Sequence, residues 1–284
     1  MPNIGLVLSG GMAKGAYQIG ALRAINEVFK PSAISYVSSA SIGALNTYLY
    51  LTNSLEKGFE LWNDVSKVNT RPWVTTLLKS NFLQNAIKSA ISKEEIKNVF
   101  YVPLVNLRKR KLFYVDFGKA SPDNIESYLR ASVAMPIYNS AVQINEDYFY
   151  DGALIDNIPI QPVLKHSIDY IICIYFDTFN YTFESDCLDN KIIKMNFTDN
   201  SIVSNSIIFK GASIKYMLDE GYSKAKQILD YVFVNGIEDI DSIYSKINDL
   251  NSTNTNRNLR ITGDVVVNNM NKITKKFMRR PEII

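Results

Sequence analysis

The stretch Ile4-Gly5-Leu6-Val7-Leu8-Ser9-Gly10-Gly11-Met12-Ala13-Lys14-Gly15-Ala16-Tyr17-Gln18-Ile19-Gly20 decides the fold. Ile4 to Leu8 is an unbroken apolar run, the pattern of a strand buried on both faces, and Ser9 to Gly15 breaks it as a tight turn. From Ala16 onward Ile19, Leu22, Ile25, Val28 and Phe29 recur in steps of three and four until Pro31, which is the spacing of one helix face. The same order then repeats: Ile34 to Ser38 reads as a strand, Ser39-Ala40-Ser41-Ile42-Gly43 as a turn and Ile42 to Leu51 as a helix. Two such units in succession predict a parallel sheet with crossover helices.

Downstream the signals are shorter. Ser54 to Val65 has helical spacing, and Ser92 followed by Glu95 predicts a short capped helix up to Val99. Val102 to Asn106 and Leu112 to Asp116 read as strands flanking the basic tetrad Arg108-Lys109-Arg110-Lys111, and Ser121-Pro122-Asp123 as a helix start with Ser121 as the capping serine. Tyr148 to Tyr150 and Tyr170 to Phe176 are further strands, Ser213 to Phe233 a long amphipathic helix, and Asp249 to Asn258 a polar exposed loop. No internal repeat is present.

Composition narrows the chemistry. The chain has 284 residues, 46% apolar, with 31 basic against 28 acidic side chains. That near balance, without a long basic run, argues against nucleic acid as the main partner. Two cysteines, Cys173 and Cys187, are too few for a disulfide framework. With His166 the single histidine, the clustered ligands of multi-histidine zinc or iron sites are missing. The N-terminus lacks the features of a Sec signal and no apolar run approaches the ~20 residues of a spanning helix, so a soluble or peripheral protein is expected.

The two turns carry the reactive residues. Ser41 sits among small residues between a strand and a helix, as a nucleophile elbow requires, although Ser39 occupies the place where such elbows usually have glycine. A glycine-rich loop at a helix start presents backbone N–H groups to an oxyanion or a phosphate. The phosphate reading fails on detail: Gly11 follows Gly10 where a P-loop needs lysine, and Ser38 ends the second strand where a dinucleotide site needs an acid.

Four ordered motifs then identify a resemblance. Leu8 to Gly20, Ser39-Ala40-Ser41-Ile42-Gly43, Ala131-Ser132-Val133-Ala134-Met135-Pro136 and Asp151-Gly152-Ala153 together resemble the patatin-like phospholipases, over roughly residues 4 to 230, with Gly221-Tyr222 also fitting. The resemblance implies an α/β fold, a three-layer α/β/α arrangement with a mostly parallel central sheet. It also implies a lipid acyl hydrolase that needs neither metal nor cofactor, cleaving phospholipid or lysophospholipid esters. By position, Ser41 is the expected nucleophile and Asp151 its base, with Gly10, Gly11 and Met12 as the oxyanion loop and Lys14, Gly15, Gly43 and Gly152 in support. Met12 stands where the family usually has a third glycine, and carries strain if its φ is positive. Asp151 would need burial to raise its pKa from the reference ~3.9.

Two rivals remain. The order Ser41, Asp151, His166 also matches an α/β-hydrolase triad, although His166 reads as the end of a short helical turn. Alternatively, the fold persists as a lipid-binding or regulatory module without turnover. We expect one domain over 1–284 with a motif-bearing core of about 4–230. A basic amphipathic helical extension over about 259–284, with Val266, Met270, Ile273 and Phe277 on one face, would suit a membrane surface. The expected location is cytoplasmic or peripheral to a membrane, with a lipid aggregate as partner.

Overall fold

The computed structural model describes residues 2–67, 81–92, 94–136, 139–176, 189–197, 211–253 and 279–283. Strands β1 (Ile4–Leu8), β2 (Tyr36–Ser39), β3 (Val99–Asn106), β4 (Lys111–Asp116), β5 (Val142–Ile144), β6 (Asp147–Asp151), β7 (Tyr170–Tyr175), β8 (Ile192–Asn196) and β9 (Arg279–Ile283) form one sheet. Its order is β5-β6-β3-β2-β1-β7-β8, with β4 on β3 and β9 on β4. Parallel pairing runs through β3, β2, β1, β7 and β8, while β3–β4, β3–β6 and β5–β6 are antiparallel.

The helices are α1 (Gly15–Val28), α2 (Ile42–Leu51), α3 (Leu55–Lys67), α4 (Asn81–Ala90), α5 (Pro122–Ser132), α6 (Gly211–Val232) and α7 (Ile240–Thr253). Alternation along the central strands divides the core. Leu6, Leu8, Ile172 and Ile174 face the α-helical layer, and Val7, Ile171, Cys173 and Tyr175 face Ile160 and Val163, from the segment that carries the 3₁₀ turns Gly152–Leu154 and Val163–Lys165. Helical layers thus cover both faces of a mostly parallel sheet. A close helix crossing joins α1 to α6, where a Cβ on Gly20 would lie 2.1 Å from the Leu218 carbonyl oxygen and one on Gly221 2.2 Å from that of Tyr17.

Four sequence expectations need correction. Residues 94–98 are not helical: Ser92 Oγ accepts from the Glu94 N–H (3.1 Å), and Asn98 Nδ2 donates to the carbonyls of Pro31 (2.8 Å) and Ile34 (2.6 Å), pinning an extended chain into β3. Ser121 occupies the start of α5 without a side-chain capping bond. Residues 249–253 are the last turns of α7, held by Ile243 and Ile247 in the core with Leu250 packed against it. Arg279–Ile283 form β9 on β4 instead of continuing a basic amphipathic helix, and the rest of that expected helix lies outside the described residues.

The Gly221 contact yields a direct expectation. Gly221→Ala should lower the free energy of unfolding by about 1–3 kcal/mol, the range for overpacking against an immovable neighbour, measured by urea titration.

Candidate active site

Strand β3 is the template. Its residues 101–106 pair with β4, so other partners must use the opposite edge. Along that edge β2 pairs parallel with residues 99–101 and β6 antiparallel with 104–106. The two strands therefore run toward each other and end head-on near Pro103, which has no N–H to leave unpaired. Ser41 lies two residues beyond the end of β2, and Asp151 is the last residue of β6, opposite Leu104. Gly152 then turns the chain away, where a Cβ would stand 2.3 Å from the Pro103 carbonyl carbon.

Ser41 has φ 56° and ψ −132°, a left-handed conformation that side-chain-bearing residues adopt only under constraint. Its hydroxyl does not cap α2; it faces Asp151 and lowers the pKa of that carboxyl. Small residues permit the elbow: a Cβ on Gly43 would stand 2.7 Å from the Ser9 carbonyl oxygen. Ser39 is buried and its hydroxyl pairs with Thr47 Oγ1 (2.7 Å), so the departure from glycine is accommodated by α2.

Asp151 is 2% exposed, and Oδ1 accepts the Ala153 N–H (2.8 Å). Its own N–H donates to the Ala134 carbonyl (2.9 Å), which gives the Ala131-to-Pro136 motif a role in holding it. Burial pushes its pKa up to about 7, against the opposing pull of the bonds from Ser41 and Ala153. A carboxylate beside a serine hydroxyl thus titrates near neutrality.

The glycine loop crosses this pair. A Cβ on Gly10 would lie 3.0 Å from Ser41 Cβ and 3.2 Å from Ala153 Cβ, and one on Gly11 would collide with the Phe176 ring at 2.3 Å. The Gly10 N–H donates to the Asn157 carbonyl (3.1 Å). Met12 has φ 50°, with its side chain 40% exposed. Gly15 packs on Trp62, Ile42 and Asn46, and the Lys14 ammonium lies 5.9 Å from the centre of the Phe176 ring.

His166 is elsewhere. It follows the 3₁₀ turn Val163–Lys165, stacks on Tyr36 (3.9 Å between ring centres) and meets Tyr101 Oη through Nε2 (3.0 Å). Tyr36 opens β2 and Ser41 lies past its other end, about 15 Å away at the rise of a strand. The structure does not bring His166 to Ser41. The basic tetrad is a hairpin turn where Arg108 faces Glu146 (3.6 Å) and Lys109 faces Asp147 (3.0 Å). Sequence reading missed Gln18, Asn46, Trp62 and Asn157: Gln18 and Asn46 could have been signalled by their polarity on otherwise apolar helix faces, whereas Asn157 acts through its backbone carbonyl, which no side-chain pattern marks.

Two outcomes follow from strain and charge. Met12→Gly should raise stability by about 1 kcal/mol, seen as a higher urea midpoint, because the left-handed conformation costs a side-chain-bearing residue roughly 1–2 kcal/mol. Asp151 has a folded pKa of about 7, above its unfolded value, so its contribution to stability is intact below pH ~4 and is lost as pH rises to about 7, at about 1.4 kcal/mol per unit. The Asp151→Asn variant lacks this loss. Its melting temperature relative to wild type should therefore climb between pH 4.5 and 7 and level off above.

A profile of the patatin-like phospholipase family matches residues 6–164, more than half of the chain. Lysophospholipase NTE1 of Cryptococcus neoformans var. neoformans serotype D is 30% identical over 185 residues, covering 60% of this chain and 11% of that protein. Among solved structures, human GIVD cytosolic phospholipase A2 in complex with methyl γ-linolenyl fluorophosphonate aligns over 87% of this chain and 59% of its own (9% identity, TM-score 0.47). VipD from Legionella pneumophila aligns over 81% and 67% (15% identity, TM-score 0.44). From the ordered motifs and the family profile, this chain belongs to the patatin-like phospholipase family.

Proposed function

We propose that the chain is a serine-dependent lipid acyl hydrolase acting on phospholipid or lysophospholipid esters through Ser41 and Asp151. One observation carries the reading: the Ser41 hydroxyl, on a strained elbow, faces a buried carboxyl whose pKa burial raises to about 7 and the serine pulls back down. Asp151 accepts the Ser41 proton as Oγ attacks the ester carbonyl. The Gly11 and Met12 N–H groups receive the oxyanion, and the protonated Asp151 returns the proton to the leaving alcohol oxygen. Water, deprotonated by Asp151, then cleaves the acyl-enzyme and regenerates Ser41.

The surroundings suit an apolar ester. Met12 and Leu154, two of the exposed large apolar side chains, lie on the two turns that meet over Ser41. We place the protein peripherally on a lipid surface, where its proposed substrates lie, with 1–284 as one domain; no helix among the described residues is long and apolar enough to cross a membrane.

A serine-directed fluorophosphonate tests this reading. It should modify Ser41 alone, with labelling abolished in Ser41→Ala and slowed at least 100-fold in Asp151→Asn. Ester cleavage at low substrate should rise about tenfold per pH unit up to about 7 and then plateau, because Asp151 must be ionised to act. Folded wild type that takes no label would favour a non-catalytic lipid-binding module.

A further inference from the structure

Three buried side chains outside the proposed dyad form a one-way chain of hydrogen bonds. Trp62 Nε1, on α3, donates to Asn46 Oδ1 on α2 (3.4 Å). Asn46 Nδ2 donates both to Gln18 Oε1 on α1 (2.9 Å) and to the Gly15 carbonyl (2.9 Å). Gln18 Nε2 donates to the Ser9 carbonyl (2.7 Å). Across the Ser9–Gly10 peptide the chain continues, since the Gly10 N–H donates to the Asn157 carbonyl (3.1 Å) beyond Asp151. Gln18 and Asn46 are wholly buried.

The route of this chain gives it a function. It grips the glycine loop at both ends, Ser9 and Gly15, and anchors it to α2, the helix that Ser41 begins, and to the turn that follows Asp151. A carbonyl that accepts a hydrogen bond makes its own peptide N–H a stronger donor, so the Gln18 bond to Ser9 reinforces the Gly10–Asn157 link. Burying two amides requires every partner to be present, since one unpaired buried polar group costs about 1–3 kcal/mol. Leucine or methionine would fill these places without that requirement.

We infer that Gln18 and Asn46 are positioning residues for the proposed reaction: they fix the Gly11 and Met12 N–H groups relative to Ser41 Oγ. The inference rests on the proposed role of Ser41. Misplacement of about 1 Å costs on the order of 100-fold in rate, and loss of one oxyanion donor about 100- to 1,000-fold.

The test is steady-state cleavage of p-nitrophenyl butyrate by Gln18→Met, Asn46→Leu and the double variant, each assayed well below its own melting temperature. We expect kcat to fall about 10- to 100-fold in each single variant with KM changed less than about threefold. The double variant should lose little more than the worse single one, because the two residues act as a unit. Gln18→Ala, which removes the donor to Ser9 and the acceptor for Asn46 and leaves room for water to pair with both, gives the same readout if Gln18→Met does not fold. Folded variants with wild-type kcat, loss through KM alone, or losses that multiply in the double variant overturn the inference while leaving Ser41 chemistry intact. Wild type without turnover and without Ser41 labelling overturns both.

Discussion

Everything at the site depends on the shared edge of β3. Two strands that approach from opposite directions cannot overlap, so their ends must meet, and whatever residues finish them are forced into contact. Pro103 marks the junction, and the backbone room at Gly152 lets the second chain end there and leave. Residues more than a hundred positions apart in sequence are thereby brought face to face. Sheet pairing, not side-chain attraction, holds them there, because an isolated carboxylate–hydroxyl bond is worth far less than the desolvation it suffers.

That desolvation is the source of the proposed chemistry. A carboxylate at its reference pKa would be a weak base toward serine, and burial between β3, the glycine loop and the Ala131-to-Pro136 turn raises it toward neutrality. The same placement stores backbone strain at Ser41 and Met12, tolerable because the surrounding sheet and helices over-determine the two turns. Stability is given up at the two positions where reactivity is proposed.

Much of this was legible in the sequence and some was not. The apolar run before Gly10 and the small residues around Ser41 announced two strand–turn–helix units, and β1, α1, β2 and α2 follow that reading closely. The elbow serine and its acid were named from their motifs. Their meeting was not visible, since no periodicity says that β2 and β6 use one edge of β3. Short strands such as β5 carry too few residues for a pattern, and the polar composition of residues 249–253 concealed the last turns of α7. Gln18 and Asn46 look like ordinary polar residues of helices until their buried partners are seen. His166 illustrates the opposite case, where chain order suggested a triad and packing against Tyr36 places the ring at the far end of β2.

The central claim is that the fold forces Ser41 onto a buried Asp151 whose proton affinity it tunes. The most direct measurement is the carbon-13 chemical shift of the Asp151 carboxyl, titrated in wild type and in Ser41→Ala. The account requires a midpoint near 7 in wild type, moving higher once the serine hydroxyl that lowers it is removed. A midpoint near the ordinary ~4 of an exposed aspartate, or one indifferent to the loss of Ser41, would contradict it.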